Sequence, residues 1–152
     1  MITKLNVCAV KVLDQEQALD FYVNKLGLEV GNDVNRGGYR WLTVRVPSDP
    51  GVEILLEEPG PPVYDDATAE QLRELISKGA MGFTVAFLTD DCRALYEELQ
   101  ARGVDDFTQE PTEHFYGIDM GVRDPFGNAI RIIQPGGGAQ EATTEKATAA
   151  AR

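Results

Sequence analysis

The sequence predicts an α+β protein made of two tandem βαβββ modules. Short runs of apolar residues alternate with period two, each half carries one amphipathic helix after its first run, and the same order returns at an offset that pairs Asp14 with Asp90. With 152 residues and 43% hydrophobic composition, the chain can build its core without a metal or disulfide staple.

Leu5 to Val12 alternates as a strand, and Asp14 followed by Gln17 forms a capping box that opens a helix. Ala18, Leu19, Tyr22 and Leu26 share the buried face of that helix, and Gly27 stops it. Strands are expected at Leu28 to Val34, Arg40 to Val46 and Val52 to Leu56. After the Pro-rich stretch EEPGPPVYDD, Thr68 with Gln71 starts a linker helix that runs to Lys78 and closes at Gly79. The first pattern then repeats. Gly82 to Leu88 is a strand, Asp90 or Asp91 caps a helix carrying Leu95, Tyr96 and Leu99, and Gly103 ends it. The last strands are expected at Asp106 to Gln109, Gly117 to Arg123 and Ala129 to Gln134, the final pair joined by a turn that Pro125 and Gly127 supply. The offset also pairs Ala18 with Ala94, Leu19 with Leu95 and Gly27 with Gly103. VEIL at Val52 to Leu55 matches IRII at Ile130 to Ile133, so Glu53 and Arg131 are repeat partners. The organisation is a first module over 1–58, a Pro-rich loop and linker helix over 59–81, a second module over 82–135, and a tail over 136–152 too poor in apolar bulk to pack.

A formal net charge of −11 argues against phosphate-backbone binding and against an anionic membrane surface, and it steers cations rather than anions. No stretch approaches the roughly 18 apolar residues of a membrane helix. The start MITKLNVCAV lacks the order of a signal peptide, so a cytoplasmic protein is expected. Cys8 and Cys92 form no C-x-x-C pair and read as buried or incidental thiols.

The duplicated unit, with ALDFYVNKLGLEV in its first helix and second strand and DPFGNAIRIIQ in its final hairpin, resembles the vicinal oxygen chelate superfamily. That is the glyoxalase I, bleomycin-resistance and extradiol-dioxygenase group, and the resemblance covers Ile2 to Gln134. It implies curved mixed sheets around a concave cup, with the helices outside. Metal-dependent members hold a divalent ion through His or Glu on the first and last strands of each module. Carried onto this sequence, those places fall on Val7, on Thr84 (Phe83 if the alignment slips by one), on Glu53 and on Arg131. Only Glu53 is a donor that a divalent ion accepts, so neither a metal nor another cofactor is expected.

Strand alternation then aims Val7, Ala9, Glu53, Leu55, Thr84, Ala86, Arg131 and Ile133 into the cup, with Val10, Val12, Ile54, Val85, Phe87, Ile130 and Ile132 in the core. Leu42, Val44 and Val46 are core by the same rule, Trp41, Thr43 and Arg45 oppose them, and Asp119 and Arg123 face the cup opposite Met120 and Val122. The expected ligand-binding residues are Trp41, Glu53, Thr84, Tyr116 and Arg131. Trp41 offers a stacking plate, and Tyr116 lies with Phe115 in the TEHFYG loop, able to close over a guest or to anchor the loop. Glu53 and Arg131 could neutralise one another, or Arg131 could take an anionic group of a guest. Glu53 and His114 are the candidates for proton transfer, although a lone His in a polar loop more often simply meets solvent. The loops at Arg36 to Gly38 and EEPGPPVYDD are either rims of a site or connections. The leading expectation is metal-independent binding of a drug or metabolite by a homodimer, as in the bleomycin-resistance branch. The alternative is a lyase or isomerase-type enzyme of the same superfamily, using Glu53 or His114 or recruiting a metal through other donors.

Overall fold

A computed structural model describes residues 1–136. The tail expected from 136 onward lies, beyond its first residue, outside the described residues. Two four-stranded mixed sheets follow one another. In the first, β1 (Val7–Lys11), β2 (Glu29–Arg36), β3 (Tyr39–Val46) and β4 (Asp49–Glu57) are ordered β1-β4-β3-β2. In the second, β5 (Phe83–Leu88), β6 (Phe107–His114), β7 (Gly117–Arg123) and β8 (Ala129–Pro135) are ordered β5-β8-β7-β6. The repeat seen in the sequence is thus a repeat of topology. β1 runs parallel to β4, and the remaining pairs of the first sheet are antiparallel. The helices are α1 (Gln15–Leu19), which continues as a π-helical segment over Asp20–Lys25, α2 (Asp66–Ser77) and α3 (Cys92–Ala101). Among the described residues two compact units result, 1–84 with 124–128, and 85–123 with 129–136.

Local chemistry explains the element ends. Asp14 accepts the Gln17 N–H at 2.8 Å and Asp91 the Ala94 N–H at 3.0 Å, so of the two candidates in the second module Asp91 is the cap. The repeat-equivalent stops Gly27 and Gly103 have φ of 84° and 88°, a conformation in which a Cβ is strained. Several boundaries differ from expectation: β4 begins at Asp49 instead of Val52, β1 at Val7 instead of Leu5, and two further shifts have a local cause. The linker helix begins earlier than Thr68, because the Asp65 carboxylate takes the Thr68 N–H at 2.7 Å and caps the preceding turn. Strand β6 reaches His114 instead of ending at Gln109. Its charged sequence and Pro111 hide it, and Pro111 falls where the β6–β7 register shifts, between Gln109 and Thr112, a place that tolerates a residue with no N–H to donate.

The faces follow the alternation for Val10, Val12, Leu42, Val44, Ile54, Met120, Val122, Ile130 and Ile132, all buried. Val46, Val85 and Phe87 are only half-buried, and Leu55, assigned to the open face, is buried. Thr43 and Asp119 are also buried despite their polarity, because each is hydrogen-bonded to a neighbouring strand's charged side chain.

The turn DPFGN belongs to the first unit. Asp124 Oδ1 accepts the N–H groups of Phe126 and Asn128, both at 2.9 Å, which shapes the turn. Its Oδ2 accepts the Tyr22 hydroxyl and the Asn128 amide, both at 2.7 Å, and the same amide reaches the Lys11 carbonyl at 2.8 Å. Burial, together with the Asp124 charge, pushes the Tyr22 phenol far above its ordinary range, so it is a permanent donor.

Candidate functional site

On the first sheet the last-strand position Glu53 stands in register with Val7 on β1 and with Arg45 on β3. Its carboxylate lies flat across the sheet. Thr43 Oγ1 donates to Oε2 at 2.8 Å, and Asn32 Nδ2 reaches the two oxygens at 3.0 and 3.2 Å. The Arg45 guanidinium is 3.8 Å from Oε1 and is itself held by Glu29 at 2.8 Å. Thr43 also accepts the Asn32 N–H at 2.9 Å, so one hydroxyl fixes both the carboxylate and the strand beside it. Trp41 lies on the same face of β3 as Thr43 by strand alternation, paired with Val34 across β2–β3, and both are exposed. An exposed indole on the sheet face that carries a satisfied carboxylate is a surface able to receive a flat apolar group.

The second sheet repeats the arrangement with the sign reversed. Arg131 on β8 donates through Nε to Asp119 Oδ1 at 3.1 Å, and its Nη2 lies 2.8 Å from Asp119 Oδ2 in an ion pair whose carboxylate side chain is 6% exposed. Gln109 Oε1 accepts from the same Nη2 at 3.2 Å, and the Tyr116 hydroxyl donates to Asp119 Oδ2 at 2.6 Å. His114 stacks on Tyr116 with centroids 5.0 Å apart and planes 4° from parallel, and its Nε2 is 3.4 Å from Gln109 Nε2. Phe115 meets Tyr116 edge-on and is otherwise exposed. Strand β6 delivers His114 and Gln109, the hairpin tip delivers Phe115 and Tyr116, and β7 and β8 deliver the ion pair.

The electrostatics follow from these contacts. Burial alone would raise the Asp119 carboxyl. The Arg131 and Tyr116 hydrogen bonds and the Arg131 charge outweigh that and hold it below its ordinary range. The same contact, first the hydrogen bond and then burial, pushes the Tyr116 phenol up, so it stays a donor at neutral pH. Burial and the nearby Asp119 charge raise the Cys92 thiol, which leaves it unreactive as expected.

Of the residues singled out in the sequence, Tyr116, His114 and Arg131 come together around Asp119, while Glu53 and Trp41 share the face of the first sheet. Thr84 stands near the start of β5 and is half-buried. Glu53 and Arg131 each find partners within their own sheet. Both loops suspected as rims line one cleft of about 230 Å³ in the first unit, where Gly38, Tyr39 and Arg40 meet Gln15, Glu58 and Pro59.

A family model described as the glyoxalase/bleomycin resistance protein/dioxygenase superfamily matches residues 4–132. The chain belongs to this superfamily. Among relatives of the superfamily chain, the uncharacterized protein YurT of Bacillus subtilis (strain 168) is 37% identical over 134 residues, 86% of this chain and 98% of YurT. The crystal structure of UcmS2 superposes with a TM-score of 0.80 at 40% identity, covering 88% of this chain and 98% of UcmS2. TnmS3, described as an antibiotic binding protein from Streptomyces sp. CB03234, gives 0.70 at 28% identity over 89% and 98% of the two chains.

The four positions that carry metal in metal-dependent superfamily members hold a poor donor set here. Val7 faces Glu53 across β1–β4 with no lone pair to offer, and Arg131 is a cation already bound to Asp119. Among the described residues no three His, Cys, Asp or Glu side chains cluster so as to hold a metal ion. The residues present do not fit the ion, and no chemistry is routed through one.

Sequence reasoning passed over several members of these clusters. Asn32 and Gln109 were hidden, and Asp119 was placed on the cup face without its partner, because a polar side chain on a strand looks the same whether it meets water or a neighbour's charge. Gly31 and Gly121 did carry a signal, since a glycine inside a strand marks a bulge or a close approach.

Proposed function

We propose that this protein binds a small molecule, a drug or a metabolite, on the cup faces of its two sheets, and does so without a metal. The observation that carries the reading is Arg131: where a metal-dependent relative would place a ligand, this chain has a guanidinium held in an ion pair with Asp119. Flat aromatic surface supports it, from Trp41 on one sheet and the His114–Tyr116 stack on the other. So does the likeness to TnmS3, an antibiotic binding protein. Trp41 and Tyr116 supply contact area, Glu53, Thr84 and Arg131 supply polarity, and a homodimer is the working unit in this reading. The protein acts in the cytoplasm, consistent with described helices none of which is long and apolar enough to cross a membrane.

Isothermal titration against a panel of antibiotics and metabolites, with and without a chelator, tests the proposal. Saturable binding with a Kd unchanged by the chelator is the expected result. Binding that requires Ni, Zn, Fe or Mn would overturn it. A lyase or isomerase reading draws on one observation, the placement of His114 against Tyr116 and Gln109, where an imidazole adjoins the Arg131 cluster. Turnover that His114→Ala abolishes while ligand binding persists would select it.

A further inference from the structure

Glycine inside a strand weakens it, because the residue loses the most entropy on ordering and packs nothing. Gly31 on β2 and Gly121 on β7 are such residues, and neither has the positive φ that would demand glycine. What excludes a side chain is the chemistry above them. A Cβ on Gly121 would collide with Thr108 Oγ1 and come within 2.8 Å of Arg131 Nη1. A Cβ on Gly31 would collide with Glu53 Oε1 and come within 2.8 Å of Glu53 Cδ and of Thr43 Oγ1. In both sheets the missing side chain lies under the repeat-equivalent charge, although the glycine sits on a different strand of each.

We propose that Gly31 and Gly121 are positioning residues, whose bare backbone lets Glu53 and Arg131 lie flat on the sheet within their own hydrogen-bonded clusters. A Cβ at either place tilts the charged group off the sheet, into the space a guest occupies, and breaks its pairing. This rests on the reading that these faces receive the guest, but the geometric claim is tested with no ligand. The groups that a Cβ on Gly121 would displace, Thr108 Oγ1 and Arg131 Nη1, belong to side chains and not to the backbone, so Gly121→Ala leaves the strand pairing unobstructed.

The experiment compares wild type, Gly121→Ala and Thr108→Gly/Gly121→Ala by phenylglyoxal labelling of Arg131, read by peptide mass spectrometry, and by the NMR exchange rate of the Arg131 Nε–H. Loss of a hydrogen bond to a charged group should raise both by about tenfold in each variant. The double variant relieves the Thr108 collision and keeps the one with Nη1. If it returns to wild-type values, or if Gly121→Ala folds with both readouts unchanged, the proposal fails. Should Gly121→Ala not fold, the double variant decides alone. The panel titration stands apart, so the ligand reading and the positioning claim can fail separately.

Discussion

Glu53 and Arg131 occupy the same place in the two modules, and their surroundings differ in the way that their charges require. The anion is held by donors: the Thr43 hydroxyl, the Asn32 amide nitrogen and a more distant Arg45. The cation is held by acceptors: the Asp119 carboxylate and the Gln109 amide oxygen. Strand register makes the exchange residue by residue. Thr43 pairs with Leu55 and Asp119 with Ile133, while Arg45 pairs with Glu53 and Gly121 with Arg131. An amide serves both clusters because it can offer either N–H or C=O. A duplicated module can therefore reverse a central charge when its neighbours on the next strand change with it.

The comparison breaks most readily at the strongest pair. Arg131→Glu sets a carboxylate against buried Asp119 and should cost about 3–5 kcal/mol, the range for uncompensated buried charge, read by urea denaturation. Adding Asp119→Thr copies the first module's solution and should recover most of that loss. No recovery would mean that the two clusters are not interchangeable.

Arg131→Met removes the partner without adding a charge and should cost about 2 kcal/mol at neutral pH. The folded Asp119 carboxyl titrates below the ordinary carboxylate range, so the ion pair contributes fully above about pH 4 and is lost as the pH falls through the folded value. The stability gap between wild type and Arg131→Met should accordingly close as denaturation curves are taken down towards about pH 2.

In the first module, Thr43→Val leaves the Asn32 N–H without its acceptor and Glu53 Oε2 with Asn32 Nδ2 alone, and should cost about 1–2 kcal/mol by thermal unfolding. A loss equal to that of Arg131→Met would show that the hydroxyl is as strong a clamp as the ion pair. The smallest effect is expected for His114→Ala. This side chain is exposed, and its removal should change stability by no more than about 0.5 kcal/mol, so any large change in binding or turnover would report on function alone.

Much of the fold was legible from local chemistry. Asp14 and Asp91 cap their helices through hydrogen bonds three residues long, Gly27 and Gly103 end them by backbone conformation, and alternation placed Leu42, Val44, Ile130 and Ile132 in the core. Each of these signals acts within a few residues, which is the range over which sequence order and spatial order coincide. The second half of strand β6, beyond Gln109, was missed because its pairing with β7 is decided across the hairpin at His114 and Gly117, and a bulge around Pro111 erases the alternation. Leu55 was misplaced for a related reason: period two assigns a side of the sheet, while burial depends on what the sheet packs against.

The sequence by itself determined the repeat, the strand and helix order, and the equivalence of Glu53 with Arg131. Only the tertiary structure decided what each charge meets. Hydrogen bonds between strands link residues 10 to 22 positions apart, as from Thr43 to Glu53 or from Gln109 to Arg131. Their partners are chosen by register and by bulges such as those at Val30/Asp33 and Gln109/Thr112, which local propensity does not encode. The same holds for Gly31 and Gly121, whose meaning lies in the side chain that a neighbouring strand lays across them.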